Sequence, residues 1–195
     1  MLLTHWLFPS FWEQWLRQQP DANSGSPMQQ QLFPVTEALV IIDMQIHFCT
    51  SEDESTQKAC IREIKRAKRR NMPIIFLEYE GFGATQPDLM QALGVYKKVK
   101  TLTKSTDSGS DEISSLLLRQ WTSIQTLRIC GVNAGACVIS TIRGLQWGKK
   151  FELIAVADAI NCLYAGKEDV YRIVEGYKIP IVFSHSRAYM RRFAA

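Results

Sequence analysis

No stretch of this 195-residue sequence approaches the roughly 18–20 consecutive apolar residues of a membrane span, which excludes an integral membrane protein. An excess of one charge is also missing. The 23 Lys and Arg against 19 Asp and Glu leave +4, a surplus too mild to argue for nucleic acid. Five cysteines, an odd number, do not read as a disulfide framework and point to a reducing, cytoplasmic setting. No Lys or Arg precedes Arg17, and Pro9, Ser10, Glu13 and Gln14 interrupt the first apolar segment, so a secretory signal is not expected. Gly81-Phe82-Gly83-Ala84-Thr85-Gln86 lacks the third glycine of a dinucleotide fingerprint, and Gly148-Lys149-Lys150 lacks the Walker spacing and its Ser or Thr. There is no internal repeat. With 46% apolar and 22% charged residues, the composition excludes a disordered chain, a coiled coil and a collagen-like repeat.

What is present divides in two. Residues 1–31 form an aromatic extension and linker: Trp6, Phe8, Phe11, Trp12, Trp15 and Leu16, then the polar run from Gln18 to Pro27. Trp12, Trp15 and Leu16 share a helical face, which suits a helix packed on the body or on a second subunit. A membrane-surface helix is the sharper reading, but the segment lacks the usual basic face. Residues 32–195 alternate apolar strand-like runs with helical stretches. The runs are Ala38–Ile42, Pro73–Leu77, Leu127–Cys130, Phe151–Val156 and Pro180–Phe183, with a more polar one at Val99–Thr103. Ser51-Glu52-Asp53-Glu54 reads as a capping box opening a helix to about Asn71, acidic at its start and basic at its end, as the helix dipole favours. Further helices are expected near 110–120, 136–148, 167–176 and 186–193. The pattern predicts a three-layer α/β/α domain with a mostly parallel central sheet.

In such a sheet, ligands sit beyond the carboxyl ends of the strands. That rule selects Asp43, Glu78, Tyr79, Glu80, Lys104, the turn Gly131-Val132-Asn133-Ala134-Gly135-Ala136-Cys137, Asp158 and His185. Cys137 is the most informative: it ends a small-residue loop where a helix begins, a place that favours a thiolate and holds an oxyanion. Lys104 adds positive charge and Asp43 offers a general base. Cys60 and Cys130 read as buried space-fillers. His185 could pair with Cys137 instead, but reads better as a pocket wall or surface residue.

Asp43-Met44-Gln45 after the first strand, Lys104 after a middle strand, and Gly131-Val132-Asn133-Ala134-Gly135-Ala136-Cys137-Val138 at a strand–helix turn resemble the isochorismatase-like cysteine hydrolases, which include nicotinamidases and N-carbamoylsarcosine amidase. The resemblance spans about residues 36–185 and implies a Rossmann-like fold. It implies that Asp43, Lys104 and Cys137 are the catalytic triad, that the Val132–Asn133 bond is a cis peptide, and that the N–H groups of Asn133 and Cys137 form the oxyanion hole. It also implies a small-molecule amide-type substrate, cleaved at a C–N bond through a thioester, and a homo-oligomer. Gln45, His47, Phe48 and Tyr79 are the expected pocket residues. Asp158-Ala159 fits the family's Asp-Ala after the next strand.

The sequence departs from the family at His47, where an acid is frequent, at Ser110, where an aromatic is frequent, and at Ala134, where Thr is common. The metal-binding Asp and His cluster of nicotinamidases has no match after Phe48, so neither a metal nor another cofactor is expected. The cysteine favours covalent amide chemistry over vinyl-ether cleavage, which family members perform without it. The competing class is a binding or effector protein on the same scaffold.

Overall fold

In a computed structural model of the chain, residues 34–185 are described. The expectations placed on 1–31 and on a helix at 186–193 lie outside them. Six strands alternate with helices: β1 (Glu37–Ile42), α1 (Glu54–Arg69), β2 (Ile74–Tyr79), α2 (Pro87–Leu93), β3 (Val99–Lys104), α3 (Ser110–Gln120), β4 (Thr126–Gly131), α4 (Ile139–Trp147), β5 (Glu152–Ile160), α5 (Lys167–Glu175) and β6 (Ile181–Val182). The strands form one sheet in the order β3-β2-β1-β4-β5-β6, and every pair is parallel. The three-layer α/β fold expected from the sequence is therefore the observed one.

Two-residue periodicity divides the core. Ala38, Val40 and Ile42 of β1 pack on the side of α3, α4 and α5, with Ile113, Leu117, Ile142 and Val170. Leu39 and Ile41 point the other way, to Ala59, Ile64 and Ala67 of α1 and Leu89 of α2. A strand buried on both faces must be apolar at every position, which is why β1 reads as an unbroken apolar run.

Two local expectations are corrected, and one helix was not expected. Ser51 does not cap α1. A short 3-10 turn, Cys49–Glu52, comes first, and the Asp53 carboxylate accepts the Thr56 N–H at 2.8 Å as the true N-cap. The Ser51 hydroxyl instead donates to the Gln45 carbonyl at 2.6 Å. Strand β5 runs on to Ile160, so Asp158 lies within it rather than beyond it. Helix α2, with Pro87 at its start, is the unexpected one; it is only seven residues long, with Leu89 and Leu93 buried, and a proline at its start costs no hydrogen bond.

Candidate active site

The chain changes direction between β1 and β4: β2 and β3 lie to one side of β1, β5 and β6 to the other side of β4. Crevices at such a switch point are where open parallel sheets bind ligands. Asp43 follows β1 there, and the turn carrying Cys137 follows β4. The two strand ends are pressed together. Ile42 pairs with Gly131, and the Val132 N–H donates to the Ile42 carbonyl at 3.0 Å. A Cβ on Gly131 would lie 2.0 Å from the Ile42 carbonyl oxygen, and its φ of 132° suits only glycine, so the close approach depends on the missing side chain.

Both residues that leave this junction have left-handed backbones, Asp43 at φ 54° and Asn133 at φ 63°. Such conformations are uncommon outside glycine and cluster at functional sites. The expected cis peptide at Val132–Asn133 is absent: among the described residues no peptide bond is cis. The turn closes differently. In its left-handed conformation Asn133 offers its carbonyl to the N–H groups of Ala136 (3.0 Å) and Val138 (3.2 Å), and Ala134–Val138 form one π-helical turn. Among the described residues, the Asn133 N–H donates to no backbone carbonyl.

The sheet edge brings together the three expected triad residues. Lys104 is the last residue of β3, two strands from β1, and its stem crosses β2 to place Nζ 3.2 Å from Asp43 Oδ2. Both side chains are wholly buried. The ammonium also lies 4.1 Å from the centre of the Tyr79 ring and donates to the Thr106 carbonyl at 3.1 Å. The side chains of Cys137, Lys104 and Asn133 bear on the Asp43 carboxylate, yet neither of its oxygens accepts a hydrogen bond of regular geometry. Burial raises the Asp43 pKa above its ordinary value, with the Cys137 thiol, Lys104 and Asn133 pulling the other way.

The thiol does not become the ready thiolate expected at a helix start. Helix α4 begins only at Ile139, after the π turn has used the Val138 N–H, and Cys137 is almost fully enclosed. Burial, followed by the hydrogen bond and charge of Asp43, pushes its pKa up to about 12, with Lys104 opposing. The site therefore pairs a protonated thiol with a buried carboxylate.

The pocket expectations divide. Gln45 is fully buried, and its amide is spent on the backbone: Oε1 accepts the Tyr79 N–H at 2.6 Å, and Nε2 donates to the carbonyls of Tyr79 (2.9 Å) and Gly83 (2.6 Å). It braces two loops and has no free polar atom for a ligand. Phe48 stacks on Phe82 at 4.3 Å between ring centres, and Tyr79 meets Phe82 edge-on at 5.3 Å. His47 is exposed beside them, and its backbone N–H donates to the Phe82 carbonyl at 3.3 Å.

Asp158 and His185 lie elsewhere. The Asp158 carboxylate accepts the Ser184 N–H (2.7 Å) and hydroxyl (2.5 Å), pairs with Arg62 at 3.1 Å, and stands 3.4 Å from His185 Nδ1. Burial alone would raise its pKa, but these donors hold it below the ordinary value. A cavity of about 470 Å³ beside β5 and α5 includes both residues but none of Asp43, Lys104 and Cys137. Cysteines 60 and 130 are fully buried, as expected of space-fillers.

Sequence reasoning missed three residues. Tyr177 donates its hydroxyl to the Ala134 carbonyl at 2.5 Å, and the Asn161 carbonyl accepts the Ala134 N–H at 3.0 Å, so both clamp the turn from outside. Asp107 Oδ1 accepts from the Cys137 thiol at 3.8 Å. None belongs to a periodic pattern; only Asp107's place three residues after Lys104 could have drawn attention to it.

The isochorismatase domain family model matches residues 37–169. No curated protein sequence matches the chain. Among solved structures, the MAR1 ribonuclease of Caenorhabditis elegans is similar at 21% identity and a TM-score of 0.64, over 77% of this chain and 78% of that one. N-carbamoylsarcosine amidase from Thermoplasma acidophilum is similar at 17% identity and a TM-score of 0.63, over 78% and 98%. The pyrazinamidase/nicotinamidase of Streptococcus mutans is similar at 19% identity and a TM-score of 0.59, over 75% and 100%.

Proposed function

Because the chain belongs to the isochorismatase domain family, hydrolases with amidases among their relatives, we propose that it hydrolyses a C–N bond of a small amide-type substrate through a Cys137 thioester. The observation that carries the reading is a thiol and a buried carboxylate side by side, the carboxylate's charge balanced by the Lys104 ammonium at 3.2 Å. A lone buried carboxylate would be costly; its ammonium partner keeps it ionised where a proton must be taken.

Asp43 removes the thiol proton as sulfur attacks the substrate carbonyl. A thiol whose pKa lies near 12 is not deprotonated beforehand at neutral pH, so proton transfer and attack belong to one step. The N–H groups of Asn133 and Cys137 receive the developing oxyanion, each worth roughly 3 kcal/mol by analogy with donors of this kind. Asp43 returns the proton to the leaving nitrogen, the C–N bond breaks, and a thioester remains. Water then adds to the thioester carbonyl, with Asp43 again as base, and releases the acid and the thiol.

The test is intact-mass detection of a Cys137 adduct across a panel of small amides, alongside turnover by Cys137→Ala. An acyl adduct on Cys137 and loss of turnover by at least a thousandfold are expected of a covalent nucleophile. Full turnover in Cys137→Ala sinks the thioester and favours vinyl-ether cleavage. A chain that turns over nothing and forms no adduct favours the binding-protein reading.

A further inference from the structure

Asp107 is not needed for the chemistry above, yet the fold holds it at the thiol. Its loop is tied down on both sides. Lys104 Nζ donates to the Thr106 carbonyl at 3.1 Å, and the Gly109 N–H donates to the Thr141 hydroxyl of α4 at 3.1 Å. Within the loop the Thr106 hydroxyl donates to the Ser108 carbonyl at 3.0 Å. Ser110 opens α3 and packs against Gly144 of α4, where a Cβ would collide with the Ser110 hydroxyl. These contacts carry Asp107 to the Cys137 thiol, 3.8 Å from Oδ1, with the residue itself exposed to solvent.

The charges at this edge do not cancel. Asp43 and Lys104 neutralise each other in the interior. Outside them stand Asp107 and Glu80, both exposed and neither in an ion pair among the described residues. Glu80 is held next to Lys104, its N–H donating to the Lys104 carbonyl at 2.9 Å. A chain of net charge +4 thus sets one exposed carboxylate at its thiol and a second acidic residue beside Lys104.

We propose that Asp107 is a specificity-determining residue, and that the substrate bears a cationic group, an ammonium or amidinium, near its scissile carbonyl. A carboxylate at the thiol attracts a cation and repels an anion, so neutral amides are tolerated and anionic ones are rejected. Glu80 adds to the attraction at longer range. The proposal rests on the reading of Cys137 as the nucleophile, but its test needs no turnover.

The test uses three methanethiosulfonates on the full-length protein, two of comparable size carrying a trimethylammonium-ethyl or a sulfonatoethyl group and a small neutral one carrying a methyl. Each transfers its thiol half to Cys137 as a mixed disulfide and releases methanesulfinate, and peptide mass mapping gives the rate at that cysteine. The readout is the cation-to-anion rate ratio, in which any change in the thiol's own reactivity cancels. Relative to a free small thiol, the wild-type ratio should be raised about tenfold at low salt, as expected for one charge acting on two opposite probes across a few ångströms of hydrated surface. Added salt should compress it. Asp107→Asn should remove most of the excess, Asp107→Lys should invert it, and Glu80→Gln should lower it slightly. A wild-type ratio equal to that of the free thiol, or one unmoved by Asp107→Asn, overturns the proposal. So does a Cys137 closed to all three reagents, since no ligand then passes Asp107 to reach it. Retained amide turnover in Cys137→Ala would overturn the nucleophile and leave this ratio standing, which separates the two failures.

Discussion

Arg128 interrupts β4 with a charge where the strand's period calls for an apolar side chain facing α1. Only 3% exposed, it donates from Nε to Glu63 Oε2 at 2.7 Å, and Glu63 is in turn 3.1 Å from Arg66. A buried charge left without its partner is far costlier than the pair is favourable. Arg128→Met leaves Glu63 with Arg66 as its remaining partner and should destabilise the protein by about 1.5–3 kcal/mol, read as a lower urea midpoint, and adding Glu63→Leu should recover part of that loss. At Asp43 burial acts on pH dependence. Because burial raises its pKa above the ordinary 3.8, the native state holds a proton over a window in which the unfolded chain has released it. Its contribution to stability is then full below that ordinary value and is lost as pH rises through the raised one. Activity runs the opposite way, because the base exists only above the raised value. The acid limb of turnover should lie above pH 3.8, and Lys104→Met, which removes the opposing ammonium, should move it further up. A pH–rate profile on both proteins checks this; a limb that stays in place would separate Lys104 from the ionisation of Asp43.

Among the elements, the turn between β4 and α4 depends on others for its shape. Its Ala134 is held by the Asn161 carbonyl from beyond β5 and by the Tyr177 hydroxyl from beyond α5. Burial keeps the Tyr177 phenol protonated well past neutral pH, so it is a constant donor. Tyr177→Phe leaves the ring in its pocket and removes that one bond. We expect a stability loss of about 1 kcal/mol by urea denaturation, and a fall in kcat larger than any change in KM, because Cys137 then samples more positions. Equal kinetics in the variant would show that the π turn holds its form unaided. Helix α1 was legible as an element because its basic end and apolar stripe recur at helical spacing. Its starting residue was not, because Ser51 and Asp53 both suit a cap, and the choice fell to the turn that precedes them.

At the scale of the molecule, the body is stabilised by two apolar cores, one on each face of the sheet, built from residues 35 onward. Among the described residues no helix is long and apolar enough to cross a membrane. Deleting residues 1–31 should leave this body folded and the Cys137 site intact, while changing assembly or solubility. The removed segment carries Trp6, Trp12 and Trp15, and each such ring seeks about 150–250 Å² of cover. Circular dichroism with sizing by light scattering decides the matter. An unfolded truncation would assign the segment to the core, and an unchanged size in solution would favour a membrane surface or a foreign partner as what it covers.

The sequence by itself determined the layered α/β architecture, because strands buried on both faces must be continuously apolar and the helices between them must show their own period. It also determined which chemistry-bearing residues end the strands: Asp43 and the turn to Cys137 are marked by apolar runs that stop at polar or small residues, and Lys104 by the more polar run before it. Tertiary structure alone decided what those residues do to one another. The order β3-β2-β1-β4 sets Lys104 across two strands from Asp43, a separation no local pattern encodes. Burial turned a thiolate expected at a helix start into a thiol with a pKa near 12, and it made Gln45 a brace rather than a pocket residue. Asn161 and Tyr177 reached the Cys137 turn through long-range packing that no spacing in the sequence announced, and Asp107 had only its place three residues after Lys104 to mark it.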